Sequence, residues 1–266
     1  YRGKGYGIGI QAGQTLGARI IDVYIEDTGS DAFDIKDPLG TNGTVYVRNL
    51  SAKNWSIDDD GDAMLDIRGP IDADGITGEM FGNCAGVRFR DVAGTELHRA
   101  GSGVVRNVRM IGQGVNAQTA VLMTSGEGNC LVEGVYGENV QNVFQSSGAA
   151  VGGIARDIRS RGTYGDGMSI AGIGLLVDGA DLQCTAAAPH CFDIEAGAKR
   201  NRLVNIMAKN LNTGTGNAGR IVAGAEDTFI TGDLTISGVT VGGGGTAIGN
   251  AGTGSVISGT RGFLAL

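Results

Sequence analysis

Apolar residues run along this chain in short alternating stretches, each broken by an Asn, Asp or Gly. Ile20-Ile21-Asp22-Val23, Val47-Arg48-Asn49-Leu50, Val105-Arg106-Asn107-Val108, Val132-Glu133-Gly134-Val135 and Ala155-Arg156-Asp157-Ile158 share the pattern. The breaking residues form a column of Asp22, Asn49, Gly78, Asn107, Gly134, Asp157, Asp178, Asn205, Gly232 and Gly259, spaced 21 to 29 residues apart. These three residue types adopt left-handed backbone dihedrals most readily, so the column predicts one bend per repeat. Residues one and three past the bend, such as Val23/Ile25, Leu50/Ala52, Val108/Met110 and Ile206/Ala208, are mostly apolar. Side chains alternate along a strand, so these are predicted to point inward.

A second column has the same phase. Short runs closing in glycine recur at Leu97–Gly101, Leu122–Gly126, Phe144–Gly148, Met168–Gly172 and Phe192–Gly197, with their glycines 22 to 25 residues apart. A third, Asn54, Asn83, Asn139 and Asn210, falls five residues after the first and predicts a ladder of stacked asparagines. Repeats of this length with two or three short strands and no helical period describe a solenoid. One turn cannot bury its own apolar face, whereas stacked turns bury a continuous column. The fold expected is therefore all-β: a single-stranded right-handed parallel β-helix of about ten turns, one domain over residues 1–266.

Composition narrows the alternatives. Glycine supplies 49 of 266 residues and proline only 3, with no Gly-X-Y period, which excludes collagen. Apolar residues at 41% and charged residues at 18% argue against a disordered chain. The net charge of −7 offers no basic face for nucleic acid, and no apolar run is long enough to insert in a membrane. The four cysteines fit no Cys-x-x-Cys motif; Cys184 and Cys191 bracket a short loop and would suit either a disulfide or two buried thiols. Helix ends expose unpaired strands, and no capping helix is evident. The chain is therefore expected to be a piece of a longer polypeptide or a subunit of an oligomer.

Stacking sets same-phase residues about 4.8 Å apart on adjacent turns. Outward positions of the second strand then read Asp34, Asp66 and His98, at intervals of 32, beside Lys36 and Arg68. Two close carboxylates and an imidazole suit general acid–base cleavage of a glycosidic bond. The same residues would equally make a salt-bridged face. A second outward row, two and four residues past the bend, reads Tyr24/Glu26, Ser51/Lys53, Arg109, Tyr136/Glu138, Arg159/Arg161 and Lys209. Its rings suit stacking on sugars, and its guanidinium forks suit sugar carboxylates or sulfates. The acidic turn Asp58-Asp59-Asp60-Gly61-Asp62 offers Asp58, Asp60 and Asp62 as ligands for Ca2+, or is a solvated loop.

The repeat period, the bend columns and segments such as Asp27-Thr28-Gly29-Ser30-Asp31-Ala32-Phe33-Asp34-Ile35 and Tyr164-Gly165-Asp166-Gly167-Met168-Ser169-Ile170 resemble the right-handed parallel β-helix proteins of the pectate-lyase-like superfamily. Within it the chain looks most like bacteriophage tailspikes and polysaccharide depolymerases. The Gly-His-Gly of polygalacturonases is absent, and Asp37-Pro38 is all that matches the Asp-Pro-His-Asp of uronate epimerases. The resemblance implies recognition and cleavage of a bacterial surface or other acidic polysaccharide along the helix face. Arg109 or Arg159 would serve as base in a lyase, and Asp34, Asp66, His98 and Arg109 would be the catalytic set. It also implies calcium in the lyase branch, a homotrimer or larger assembly, and a virion or extracellular location. Its alternatives are a non-enzymatic glycan-binding or structural spike, and a secreted polysaccharide lyase.

Overall fold

The computed structural model describes residues 7–10, 17–36, 43–58, 61–90, 101–115, 117–124, 126–185, 188–211, 217–237, 248–250, 252–258 and 260–264. Among them there is no helix, and the chain coils through two parallel sheets. The long sheet stacks Arg19–Glu26, Val45–Lys53, Pro70–Glu79, Ser102–Ile111, Gly126–Glu138, Ala150–Thr163, Leu176–Cys184, Arg202–Asn210, Phe229–Ser237 and Val256–Ile257 in chain order, and Thr260–Leu264 also pairs with Phe229–Ser237. The short sheet stacks Ile8–Ile10, Phe33–Lys36, Ala63–Arg68, Cys84–Phe89, Gln118–Met123, Asn142–Ser146, Met168–Ile170, His190–Ile194, Asn217–Ile221 and Ile248–Asn250. Each coil contributes one strand to each sheet, so the expected all-β parallel solenoid is what forms. Its turns number about seven rather than the expected ten.

The bend lies inside each long strand. Pairing runs from Ile21↔Arg48 to Val23↔Leu50 and leaves Asp22 and Asn49 out of the ladder. Both are left-handed, at φ 55°, as are Asn107 at 54°, Asp157 at 50° and Asn205 at 57°. From Asn49 onward, rungs that carry a side chain here are followed by a glycine rung: Asn49 by Gly75, Asn107 by Gly134, Asp157 by Gly179, Asn205 by Gly232. Space is the reason. A Cβ on Gly75 would stand 2.8 Å from Asn49 Oδ1, and one on Gly232 would stand 2.5 Å from Asn205 Oδ1. The asparagines also reach back one coil, with Nδ2 of Asn49 donating to Asp22 Oδ1 at 2.8 Å and Nδ2 of Asn107 donating to Asp74 Oδ1 at 2.7 Å.

Two members of the predicted bend column shift. Gly75 bends rather than Gly78, whose Cα faces Met110, Trp55 and Met64 inside the coil. Gly179 bends rather than Asp178, which accepts a bond from Asn205 instead. Gly259 lies outside the described residues. In the third column Asn54 and Asn139 turn left-handed at φ 52°, and Asn54 donates to Asp27. Asn83 and Asn210 do not: Gly82 takes the left-handed place next to Asn83, and Asn210 is buried.

The inward positions past the bend are buried as the alternation requires, in the column Leu50, Ile76, Val108, Val135, Ile158, Ala180 and Ile206. Phe33, Leu65, Val87, Val121, Phe144, Met168 and Phe192 meet them from the short sheet. Each large side chain so buried contributes about 1.5–3 kcal/mol. Trp55 is fully buried and donates Nε1–H to the Ala85 carbonyl at 2.9 Å. Cys84, Cys130, Cys184 and Cys191 are all buried free thiols. The consequence for function is geometric: the coil's interior is closed, so recognition falls to the outer faces.

Candidate functional site

The short sheet's outer row begins as the spacing predicts. Asp34 stacks directly on Asp66. The next rung, however, is Arg88, because Cys84–Phe89 is the following strand, and His98 lies outside the described residues. Nor do the carboxylates face solvent: Asp34 and Asp66 are both 0% exposed. This corrects the expectation of an open catalytic row.

What surrounds them is a closed charge cluster. Asp66 accepts from Arg68 Nε at 2.7 Å, Arg88 Nε at 2.7 Å and Arg90 Nε at 2.8 Å. Lys36 and Arg68 pair with the Asp34 oxygens at 2.8 and 3.1 Å. Arg88 also reaches Asp31 at 3.1 Å and Asp62 at 3.6 Å. Four carboxylates thus meet four cations. Burial opposes ionisation of Asp66, but Arg88, Arg90 and Arg68 outweigh it and hold its pKa below the ordinary carboxylate value. Burial raises Asp34 despite its cations. Burial, with Asp66 close by, pushes Asp31 up to about 7.

Asp31 carries a pH dependence. Its folded pKa lies above its ordinary 3.8, so between those values the native chain holds a proton that the unfolded chain has released. Its contribution to stability is therefore full below the unfolded pKa and is lost as pH rises through about 7. The expected result is a lower urea midpoint at pH 8 than at pH 5, with the difference reduced in Asp31→Asn. That variant keeps the Oδ1 that accepts Ala63 N–H at 2.7 Å. An unchanged difference in Asp31→Asn would rule out this origin.

Asp31, Asp34 and Asp66 are also the one group among the described residues whose carboxylate oxygens crowd within 4.8 Å. Guanidinium and ammonium groups already occupy those oxygens, so a divalent cation would have to displace them. The calcium candidates fare differently. Asp60 lies outside the described residues, Asp58 is exposed, and Asp62 accepts from Ser30 at 2.6 Å and pairs with Arg88.

The long sheet's face past the bend is the outward surface that the spacing predicts. One row reads Tyr24, Ser51, Thr77, Arg109, Tyr136, Arg159, Asp181 and Met207 in continuous register. Its neighbour reads Glu26, Lys53, Glu79, Ile111, Glu138, Arg161, Gln183 and Lys209. Tyr24 is 61% exposed. Arg109 lies over the Tyr136 ring at 5.7 Å and pairs with Glu138 at 3.7 Å, to which Tyr136 also donates. Lys53 pairs with Glu79 at 3.4 Å and Arg161 with Asp181 at 2.8 Å. Two shallow grooves score this face. One, of about 270 Å3, is lined by Tyr24, Lys53, Glu79 and Arg109; the other, of about 290 Å3, by Asp157, Arg159, Asp181, Asn205 and Met207.

Comparison with protein-family models, curated proteins and solved structures gives no match. The reading of this face therefore rests on its own geometry. Thr77, Glu79 and Asp181 belong to it and escaped the sequence pattern, because the bend is expected there at Gly78 and Asp178. Counting from Gly75 and Gly179 puts all three in phase.

Proposed function

We propose that the outward face past the bend binds an acidic polysaccharide laid along the stacked turns. The observation that carries this is the unbroken register of Arg109, Tyr136 and Arg159 on three consecutive rungs, with Glu138 and Arg161 beside the last two. Rungs repeat at about 4.8 Å, close to the length of one sugar ring, so each saccharide unit meets a new pair of side chains. Tyr24 and Tyr136 supply ring faces, and Arg159 and Lys209 carry no ion pair among the described residues, leaving them free for carboxylates or sulfates.

Cleavage is a further step within this reading, with Arg109 in the role of base. Its partner Glu138, 3.7 Å away, orients the guanidinium. A homotrimer or larger assembly on a virion or outside the cell is the setting we propose for such a surface.

The test is affinity calorimetry against a panel of uronic-acid and sulfated polysaccharides, with absorbance detection of unsaturated uronates. Arg159→Ala and Tyr136→Ala are expected to weaken binding about tenfold each, the scale of a lost charge-assisted hydrogen bond or stacking contact. Arg109→Ala is expected to abolish any product release. Equal affinity in Arg159→Ala and Tyr136→Ala would remove this face as the binding surface.

A further inference from the structure

A different corner of the coil holds three polar atoms with no hydrogen-bond partner among the described residues. Asn142 opens the strand Asn142–Ser146, and His190 opens His190–Ile194. Asp166 stands two residues before Met168–Ile170, the strand between them. Phe144 pairs with Met168 and Met168 with Phe192, a shift of 24 residues each time. The contacts on either side of Asp166 keep that shift. A Cβ on Gly165 would meet the Gln141 carbonyl at 2.9 Å and Asn142 Oδ1 at 3.2 Å, and one on Gly167 would meet the Cys191 carbonyl at 2.5 Å. Asn142, Asp166 and His190 therefore occupy one column on three successive rungs, about 4.8 Å apart.

Asn142 is 6% and His190 is 8% exposed. Asn142 Oδ1, Asp166 Oδ1 and His190 Nδ1 are buried and make no hydrogen bond among the described residues. Leaving a buried polar atom unsatisfied costs about 1–3 kcal/mol, and native proteins rarely do it. Three in one column point to something that binds all three. Each offers a lone pair: an amide oxygen, a carboxylate oxygen and an imidazole nitrogen. Two are oxygens that can only accept, so the missing partner is electron-poor.

The surrounding charge agrees. Asp193 and Glu195 are close enough to Asp166 to act on it electrostatically, and so is Arg220. The Arg220 cation is already spent, its Nε and Nη2 both on the Asp193 carboxylate. Glu195 accepts from Ser169. Three carboxylates against one guanidinium leave the corner net negative.

We propose that Asn142, Asp166 and His190 bind a divalent transition-metal ion through Oδ1, Oδ1 and Nδ1, with water completing its coordination. An imidazole among the ligands favours Mn2+, Co2+ or Zn2+ over Ca2+ and Mg2+, which prefer oxygen throughout. The middle residue supplies the charge, and the outer two flank it on the rungs before and after. Bound metal stabilises the fold across three turns of the coil by mass action. The site is separate from the glycan face on the long sheet.

The full chain, stripped with EDTA, is titrated with MnCl2, CoCl2 and ZnCl2 by calorimetry and by thermal melting. One ion per chain and a rise in Tm are expected. Asp166→Asn and His190→Gln should each weaken binding at least tenfold. Absence of binding at millimolar metal, or unchanged affinity in both variants, overturns the proposal and leaves an ordered water as the partner of these atoms. Should either variant fail to fold, pulsed EPR of the Mn2+-loaded wild type decides. The chain has only two histidines, so coupling to one imidazole nitrogen that persists in His98→Ala supports the site. No nitrogen coupling, or its loss in His98→Ala, overturns it.

Discussion

Replacing Asp66 by alanine is expected to destabilise the fold by about 3–5 kcal/mol, the cost of breaking a buried ion network from one side. Asp66 is the shared acceptor of Arg68, Arg88 and Arg90, and it is fully buried. Its removal strands three guanidiniums around Asp31 and Asp34, whose oxygens cannot reach all of them. Arg68 and Arg88 are themselves buried, so water does not replace the lost acceptor. Asp66→Asn should fall between wild type and alanine, because it keeps the shape and loses the charge. Equilibrium urea unfolding followed by circular dichroism measures this directly. A loss under about 1 kcal/mol, the range of exposed pairs, would mean that the cluster is hydrated. The result also bears on function. Any decline in glycan binding in an Asp66 variant reports the fold, so it cannot be taken as loss of a catalytic group.

Gly103→Ala is expected to cost about 3 kcal/mol or more. Gly103 sits within the strand Ser102–Ile111 at φ 108°, where side-chain-bearing residues are strained by about 1–3 kcal/mol. Its Cβ would also fall 2.0 Å from the Ile71 carbonyl oxygen. That oxygen belongs to backbone paired with the preceding coil at Val45, so it cannot retreat without breaking a second ladder. Overpacking of this kind adds about 1–3 kcal/mol. Gly82 provides the control: it is left-handed at φ 66° but has open space around it, so Gly82→Ala should lose only the strain of about 1–2 kcal/mol. Equal losses in the two variants would mean that contact with Ile71 contributes nothing.

The bends were legible because they depend on one residue at a time. A left-handed backbone favours Asn, Asp or Gly, so Asp22, Asn49, Asn107, Gly134, Asp157, Asn205 and Gly232 could be found without knowing their neighbours. The two misplaced bends show where that logic ends. Gly78 and Asp178 are as permissive as Gly75 and Gly179. The choice falls to packing, since Gly78 is needed beneath Met110 and Trp55, and Asn49 requires a glycine above it.

The outward face past the bend followed from the same count, because a constant offset from the bend gives a constant outward direction. The buried cluster did not. Asp34 over Asp66 was a correct vertical neighbour, yet alternation along a strand tells only which side a residue faces, never what covers that side. The strand Cys84–Phe89, which puts Arg88 on the next rung, likewise breaks the interval of 32 that seemed to lead to His98.

The amino-acid order by itself determined that this chain coils, where most of its corners fall and which strand positions point outward, because each depends on local dihedral preference and a period of two. The tertiary structure alone decided which outward carboxylates are sealed among arginines and which polar atoms at the Asn142, Asp166 and His190 corner have no hydrogen-bond partner among the described residues. Those outcomes depend on register between coils and on burial, and both arise only when segments more than twenty residues apart are brought within one rung of each other.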